Sequence, residues 1–231
     1  MQAAEAWKIK EMHAGYRGLV AQRALKQGDR VFDCEPIAWA TLKAMKGQVC
    51  GWCLMRREVV RCGRCKSFYY CSGECQRKDW PLHKLECPIY QRMATQKQLS
   101  IHKQIATEFV LNLRLALVLA HQPKVKAQFD DMVNLQEHQP AEKLQQMMEL
   151  SVVLLENMGE GRDEERVTRM MGQLNRVAVN AFTVQDLLCE TEGVGVGVYW
   201  PANYLNHECQ PNCTQFFDGR HLHVVANQSI P

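Results

Sequence analysis

Eight residues between positions 50 and 87 have the type and spacing to hold metal ions. They are Cys50, Cys53, Cys62, Cys65, Cys71, Cys75, His83 and Cys87, in the pattern C-x2-C-x8-C-x2-C-x5-C-x3-C-x7-H-x3-C. Together they supply two complete tetrahedral sets for Zn²⁺, whose structural sites are closed by four Cys or His ligands. Each C-x2-C pair can place two thiolates on one ion through a tight turn. Cys71/Cys75 and His83/Cys87 are i, i+4 pairs, the spacing that puts two side chains on one face of a helix. Ser72 is the expected N-cap of the first such helix, and Pro81 suits the first turn of a second. Four ligand pairs at metal spacing argue against a set of free core thiols. Spacing alone leaves sequential and interleaved pairing of the eight residues open.

A second constellation, "NHECQPNC" (Asn206 to Cys213), lies near the end of the sequence. Its histidine, two cysteines and two asparagines around a proline are compatible with a metal site, a turn or part of a catalytic centre. The alternating glycines of "GVGVGVYWP" (Gly193 to Pro201) are not a dinucleotide loop. Val-Tyr-Trp-Pro is strand and turn chemistry, and no helix can follow it directly.

The elements that must position these residues can be read from the rest of the 231-residue chain, which is long enough for one large domain or two small ones. A hydrophobic share of 46%, a charged share of 23% and a formal net charge of +3 are those of an ordinary globular protein, and too little charge to define a nucleic-acid binder. The first fifteen residues lack the apolar core of a signal peptide. Phe109 to Ala120 is the most apolar stretch, but it is short and carries Arg114, so a buried helix is expected and not a membrane span. Seven of the eleven cysteines fall between Cys50 and Cys87. Such clustering without an export signal points to metal and not to disulfides.

Residues 1 to about 47 read as β-rich, with turn signals at Gly18 and at Gln27-Gly28-Asp29. From about Thr95 to Leu188 the pattern is helical: Ile101, Ile105, Phe109, Leu113 and Leu117 recur every four residues and mark one face. Pro123 and Pro140 interrupt this region, and "NMGEGRDEER" reads as a solvated loop leading into another helix. After Phe182 strand and turn signals return, and Asp218-Gly219 between two apolar runs predicts a hairpin. Strand-type segments at both ends, with a cysteine module and helices between, are what an insertion into one β domain produces. The module from 50 to 87 holds eight Lys or Arg against four Asp or Glu, so the basic character of the chain sits there. This surplus fits a solvated surface or a face that meets acidic or phosphate groups, including a weak nucleic-acid contact.

The cysteine spacing, with "CQRKDWPLHKLEC", resembles the MYND finger, and "NHECQPNC" resembles the N-H-S-C-x-P-N segment of SET-domain lysine methyltransferases. "GYRGLVA" is similar to the turn with which SET domains begin, and "VNAFTV" (Val179 to Val184) to the segment that precedes their motif. In this order the parts resemble the SET and MYND domain-containing (SMYD) family of protein-lysine methyltransferases over nearly the whole chain. The resemblance implies an α+β fold: a β-rich split SET domain with an inserted MYND double-zinc finger and a helical insert. The implied division is an N-terminal SET part (1–47), the finger (48–88), a helical linker and insert (89–188) and a C-terminal SET part (189–231).

It further implies interleaved zinc pairing, with Cys50, Cys53, Cys71 and Cys75 on one ion and Cys62, Cys65, His83 and Cys87 on the other. Cys209 matches a ligand that joins three later cysteines on a third zinc in the family. Gly15, Tyr16 and Arg17 match the turn that approaches S-adenosylmethionine. Asn180, Asn206 and His207 match residues that contact its adenosine and amino-acid ends, and His138 matches a contacting position in the helical insert. No catalytic residue is assigned. Glu208 departs from the family by replacing its usual Ser.

The implied activity is methyl transfer from S-adenosylmethionine to a lysine of a histone or non-histone protein, with proline-rich peptides as partners of the finger. Cytoplasmic and nuclear residence are both compatible with it. In the family, the segment matching "VVANQSIP" precedes an acidic strand, the lysine-orienting tyrosine and a cysteine-rich segment. The sequence ends at Pro231, so a truncated form, inactive and unable to bind the cofactor alone, is expected. The rival expectation is a MYND interaction and transcriptional-regulatory module on an inactive SET scaffold.

Overall fold

The computed structural model describes residues 6–13, 16–95, 106–186 and 189–231. Strands from the two ends of the sequence pair with each other. β1 (Trp7–His13) and β2 (Tyr16–Ala21) form an antiparallel hairpin. β3 (Arg30–Cys34) pairs with the strand His221–Ala226, here β10, which also carries β9 (Cys213–Asp218), in the order β3-β10-β9. A second sheet has the order β4-β8-β7, built from Ala38–Thr41, Cys189–Val198 and Ala181–Asp186. Both sheets therefore join strands that precede the cysteine module to strands that follow the helices, as an insertion requires. Along β10, Leu222, Val224 and Ala226 are buried while the alternate residues are partly exposed, the period-2 pattern of a half-buried strand. Phe32, Trp39, Val194, Tyr199 and Phe217 share one core with Leu222 and Val224.

The finger contains the two-residue strands β5 (Val60–Arg61) and β6 (Tyr69–Tyr70) and the first half of α1 (Gly73–Thr95). Here the expectation of two helices is corrected, because α1 is one 23-residue helix with Pro81 and Pro88 inside it. An internal proline costs about 3 kcal/mol. The anchoring of Asp79, His83, Glu86 and Cys87, all buried, holds the helix continuous through both. Ser72 is the cap expected, accepting from the Cys75 N–H at 3.1 Å, which leaves Cys71 just outside the helix. α1 then carries the chain past residue 88 without a break.

The helical region comprises α2 (Thr107–His121), α3 (Pro123–Asp130), α4 (Ala141–Met158) and α5 (Glu164–Asn180). Ile101 and Ile105 lie outside the described residues. α2 is not buried on one face only: Phe109, Leu111, Leu113, Leu115 and Val118 point in several directions and all are buried, as in a central helix. Gly159, at φ 77°, ends α4, and Asp163 caps α5 by accepting from the Arg166 N–H at 3.1 Å. Among the described residues, no helix is long and apolar enough to cross a membrane.

Two glycines are demanded by close approach. Gly18 lies inside β2, opposite Lys10, and not in a turn as its sequence context predicts. A Cβ on it would come within 2.5 Å of Asn206 Nδ2. Gly219 and Arg220 form the two-residue turn of the β9–β10 hairpin, with Gly219 at φ 58°. A Cβ on Gly219 would lie 2.3 Å from the carbonyl oxygen of Cys53, so the hairpin tip presses on the finger backbone.

Candidate metal centres and candidate cofactor site

The eight finger ligands gather in space as two sets, Cys50, Cys53, Cys71 and Cys75, and Cys62, Cys65, His83 and Cys87, with ligand atoms within 4.8 Å of one another in each. The spatial grouping is the interleaved one. Each C-x2-C pair sits on a turn closed by a residue in the left-handed region. Leu54 (φ 56°) donates its N–H to the Cys50 carbonyl at 3.0 Å, and Lys66 (φ 59°) donates to the Cys62 carbonyl at 3.1 Å. Side chains other than glycine rarely adopt this conformation, and a bulky leucine there marks a backbone held by its surroundings.

The separations fit zinc. Four sulfurs at about 2.3 Å from one tetrahedral ion stand about 3.8 Å apart. Cys53 and Cys71 are 3.9 Å apart, Cys71 and Cys75 3.5 Å, and Cys65 Sγ lies 3.6 Å from His83 Nε2. Burial pushes the Cys75 thiol up to about 11 and the Cys87 thiol up to about 12, while one thiol of each set is pulled down. The Cys53 side chain, helped by backbone N–H groups, holds Cys50 down to about 4. Burial raises the Cys62 thiol, but the N–H groups of Cys65 and Arg64 and the His83 ring outweigh it and bring it to about 7. A cation that stabilises thiolates is what such a donor set accepts.

Behind the second set, His83 Nδ1 lies 2.9 Å from Glu86 Oε1, leaving Nε2 to face the sulfurs. A carboxylate on the far nitrogen of a ligating histidine fixes its tautomer and orientation. Glu86 in turn receives Arg114 from α2, and Arg114 Nη2 also reaches Asp79 at 2.8 Å. Tyr70 donates to the same Asp79 oxygen at 2.6 Å. The Arg114 guanidinium lies over the rings of Phe68 and Trp39, at 4.5 and 5.1 Å from their centroids. Spacing pointed to His83 but not to these supports. The signals were Glu86 three residues after His83 on one helix face and a lone arginine in an apolar run.

Of the residues matched to a cofactor site, Arg17, Asn180 and Asn206 are tied into one neighbourhood by their contacts. Gly15 lies outside the described residues, and Tyr16, at the start of β2, is exposed. Arg17 Nη1 donates to Asp131 Oδ2 at 2.7 Å, and its guanidinium lies 5.1 Å over the Tyr204 ring. Tyr204 donates to the same Asp131 oxygen at 2.7 Å. Burial tends to raise the Asp131 carboxyl, but these two hydrogen bonds hold it below the ordinary range, and the Asp131 bond raises Arg17. Asn180, buried at the end of α5, donates to the carbonyls of Arg176 (2.8 Å) and Val133 (2.9 Å), tying the same loop to α5. Asn206, two residues beyond Tyr204, sits against Gly18.

Asn206 and His207 line a cavity of about 600 Å³ together with Phe182, Thr214, Gln215 and Val224, a size within the roughly 300–1,000 Å³ usual for small-molecule sites. Gly18 thus lets a polar side chain seat against the strand beside a cavity of small-molecule size. His138 stands apart on a 3-10 turn (Gln136–His138), with its side chain 69% exposed and the Glu137 carboxylate 3.8 Å away. Cys209 is exposed, 3.6 Å from His207 Nε2, and belongs to neither cysteine set among the described residues. Asp131 and Tyr204 were not singled out by sequence, since neither lies in a motif. On the finger, Gly63, Arg64, Gly73, Gln76 and Trp80 line a separate groove beside Cys62, with the Trp80 ring partly open to solvent.

The MYND finger family matches residues 49–87. The chain is 29% identical to histone-lysine N-methyltransferase SMYD3 of Homo sapiens over 98% of its length, covering 53% of that protein. It is 29% identical to N-lysine methyltransferase SMYD2-A of Danio rerio over 93% of its length, and 27% identical to N-lysine methyltransferase SMYD2 of Bos taurus, covering 49% of each relative. The chain thus spans about half the length of the curated relatives it matches. The finger match and the similarity running through both of its flanks support membership of the chain in the SET and MYND domain-containing (SMYD) family.

Proposed function

We propose that these residues form the finger and the cofactor side of an S-adenosylmethionine-dependent protein-lysine N-methyltransferase. The observation that carries this reading is Asn206 seated against Gly18, with His207 beside it on the cavity wall. S-adenosylmethionine supplies an electrophilic methyl group on a sulfonium, so the protein needs no covalent intermediate of its own. Asn206, His207 and the Arg17-bearing strand hold and orient the ligand, while Asp131 and Tyr204 fix Arg17 from behind. Positioning of this kind can remove about 7–11 kcal/mol from the barrier of a two-substrate reaction. The acceptor class is a lysine of a protein, histone or non-histone, reached in the cytoplasm or the nucleus. Radiolabelled methyl transfer to protein lysine by the longest natural product carrying residues 1–231 tests the reading. Transfer no greater than that of an Asn206→Ala counterpart would remove it.

A second reading rests on the finger groove at Gln76 and Trp80. A groove walled on one side by a tryptophan suits proline-rich segments, whose preformed extended helix costs little entropy to bind. On this reading the finger recruits partners and the sheets serve as scaffold. Binding of a proline-rich peptide that is lost in Trp80→Ala, in a protein without transferase activity, supports it over the first.

A further inference from the structure

On α5, Arg166, Arg169, Gln173 and Arg176 follow at i, i+3, i+7 and i+10, so they share one face of the helix. They border a groove of about 450 Å³ between α2, α3, α4 and α5, with Lys126 of α3 also on its rim. The apolar floor of the groove is the surface of the half-buried Leu119 and Met158, while Phe129 and Leu155 also line it but are almost fully buried and present little area. Ten residues of helix put the ends of the arginine row about 15 Å apart. Among the described residues Arg166 and Arg169 pair with Asp163 and Glu165 of their own helix region, and Lys126 with Asp130 one turn away, all solvent-exposed. Pairs of that kind are worth about 0–1 kcal/mol and yield readily to a better partner. Arg176 has no ion pair among the described residues.

We propose that this groove docks an acidic amphipathic segment of a partner protein, with apolar side chains on the floor and a row of carboxylates along α5. The geometry selects among anionic ligands. A small amphiphile with one carboxylate would engage one end of a 15 Å row. A nucleic acid would leave the apolar floor unmatched and meet Asp130 and Glu160 on the rim. A segment carrying Asp or Glu every three or four residues beside Leu, Met or Phe matches the floor and the row together. The groove ends next to the candidate cofactor site: Arg176 donates to the Met132 carbonyl at 3.4 Å and accepts from Asn180 at 2.8 Å. The proposal does not depend on the methyltransferase reading.

Fluorescence anisotropy tests it with a labelled helical peptide bearing one Glu face and one Leu/Phe face. The same peptide with Gln for Glu, and a single-stranded oligonucleotide of equal charge, serve as comparison probes. Binding should weaken at least tenfold in Arg169→Glu/Arg176→Glu, fall similarly for the Gln peptide, and remain unchanged in Arg57→Glu on the basic finger. If the double substitution unfolds the chain, Arg176→Gln should still weaken binding several-fold. Peptide-induced protection from hydrogen exchange should then fall on residues 116–130 and 166–176. Failure of the peptide to bind, equal binding by Gln and Glu peptides, stronger binding of the oligonucleotide, or protection confined to the finger would each overturn the proposal.

Discussion

Arg114 of α2 and Glu86 of α1 meet with no solvent access to either side chain: Nη2 lies 2.6 Å from Oε1, and Nε lies 3.1 and 3.2 Å from the two carboxylate oxygens. The same Glu86 oxygen faces His83 Nδ1 at 2.9 Å. One carboxylate therefore supports a metal ligand and locks the central helix of the insert to the finger. Burial alone would raise the Glu86 carboxyl, but the Arg114 charge and the His83 hydrogen bond hold it below its ordinary value.

Arg114→Met should be strongly destabilising. Removing one partner of a buried ion pair leaves uncompensated charge and costs about 3–5 kcal/mol. Asp79 and Glu86 would both be stranded, so urea unfolding should show a loss of at least that order. Arg114→Lys should recover little, since a point charge cannot reach both carboxylates in the forked geometry of a guanidinium.

Glu86→Gln should separate the two metal centres. Loss of a supporting hydrogen bond behind a ligating histidine costs about 10–100-fold in metal affinity. Competition with a chromophoric chelator should then release one zinc per chain early, from the Cys62/Cys65/His83/Cys87 set, and leave the other at its original affinity.

Zinc content should be two ions per chain, matching the two cysteine sets. Elemental analysis checks it, and a ratio near zero contradicts the geometry. Cys53→Ser should unfold the finger, because metal affinity of about 10–16 kcal/mol per site is also folding energy in isolated finger peptides.

Much of this was legible in sequence because metal ligands are constrained both in type and in spacing. The interleaved grouping followed from the resemblance and not from spacing, which is blind to how the chain folds back. The hairpin at Gly219 was legible because a two-residue turn has its own chemistry. The contact of Gly219 with Cys53, 166 positions away in sequence, was not. Gly18 read as a turn because glycine is the commonest turn residue. Its strand position is explained only by Asn206, which arrives from the other end of the chain. α1 read as two helices because local proline chemistry was weighed without the buried anchors that override it.

The Arg17–Asp131–Tyr204 contact should be insensitive to pH across the neutral range. Asp131 is held below its ordinary value, which is about 3.9 in an unfolded chain. Its contribution is fully present above that unfolded value and is lost as pH falls through the lowered folded one. Hydrogen-exchange protection of the β1–β2 hairpin should therefore be constant from about pH 5 to 8 and drop only in stronger acid. Asp131→Asn should show the reduced protection at every pH.

Cofactor recognition by Asn206 is tested by calorimetric binding of S-adenosylhomocysteine to the longest natural product that carries residues 1–231, beside its Asn206→Ala counterpart. Asn206 is exposed at the cavity wall and seated on Gly18, so its removal should cost binding and not folding. A lost hydrogen bond of about 0.5–1.5 kcal/mol corresponds to roughly a two- to thirteenfold weaker affinity. The unaltered protein should bind, and the variant should show a loss of that size. No binding, or equal affinity in both, would contradict such recognition.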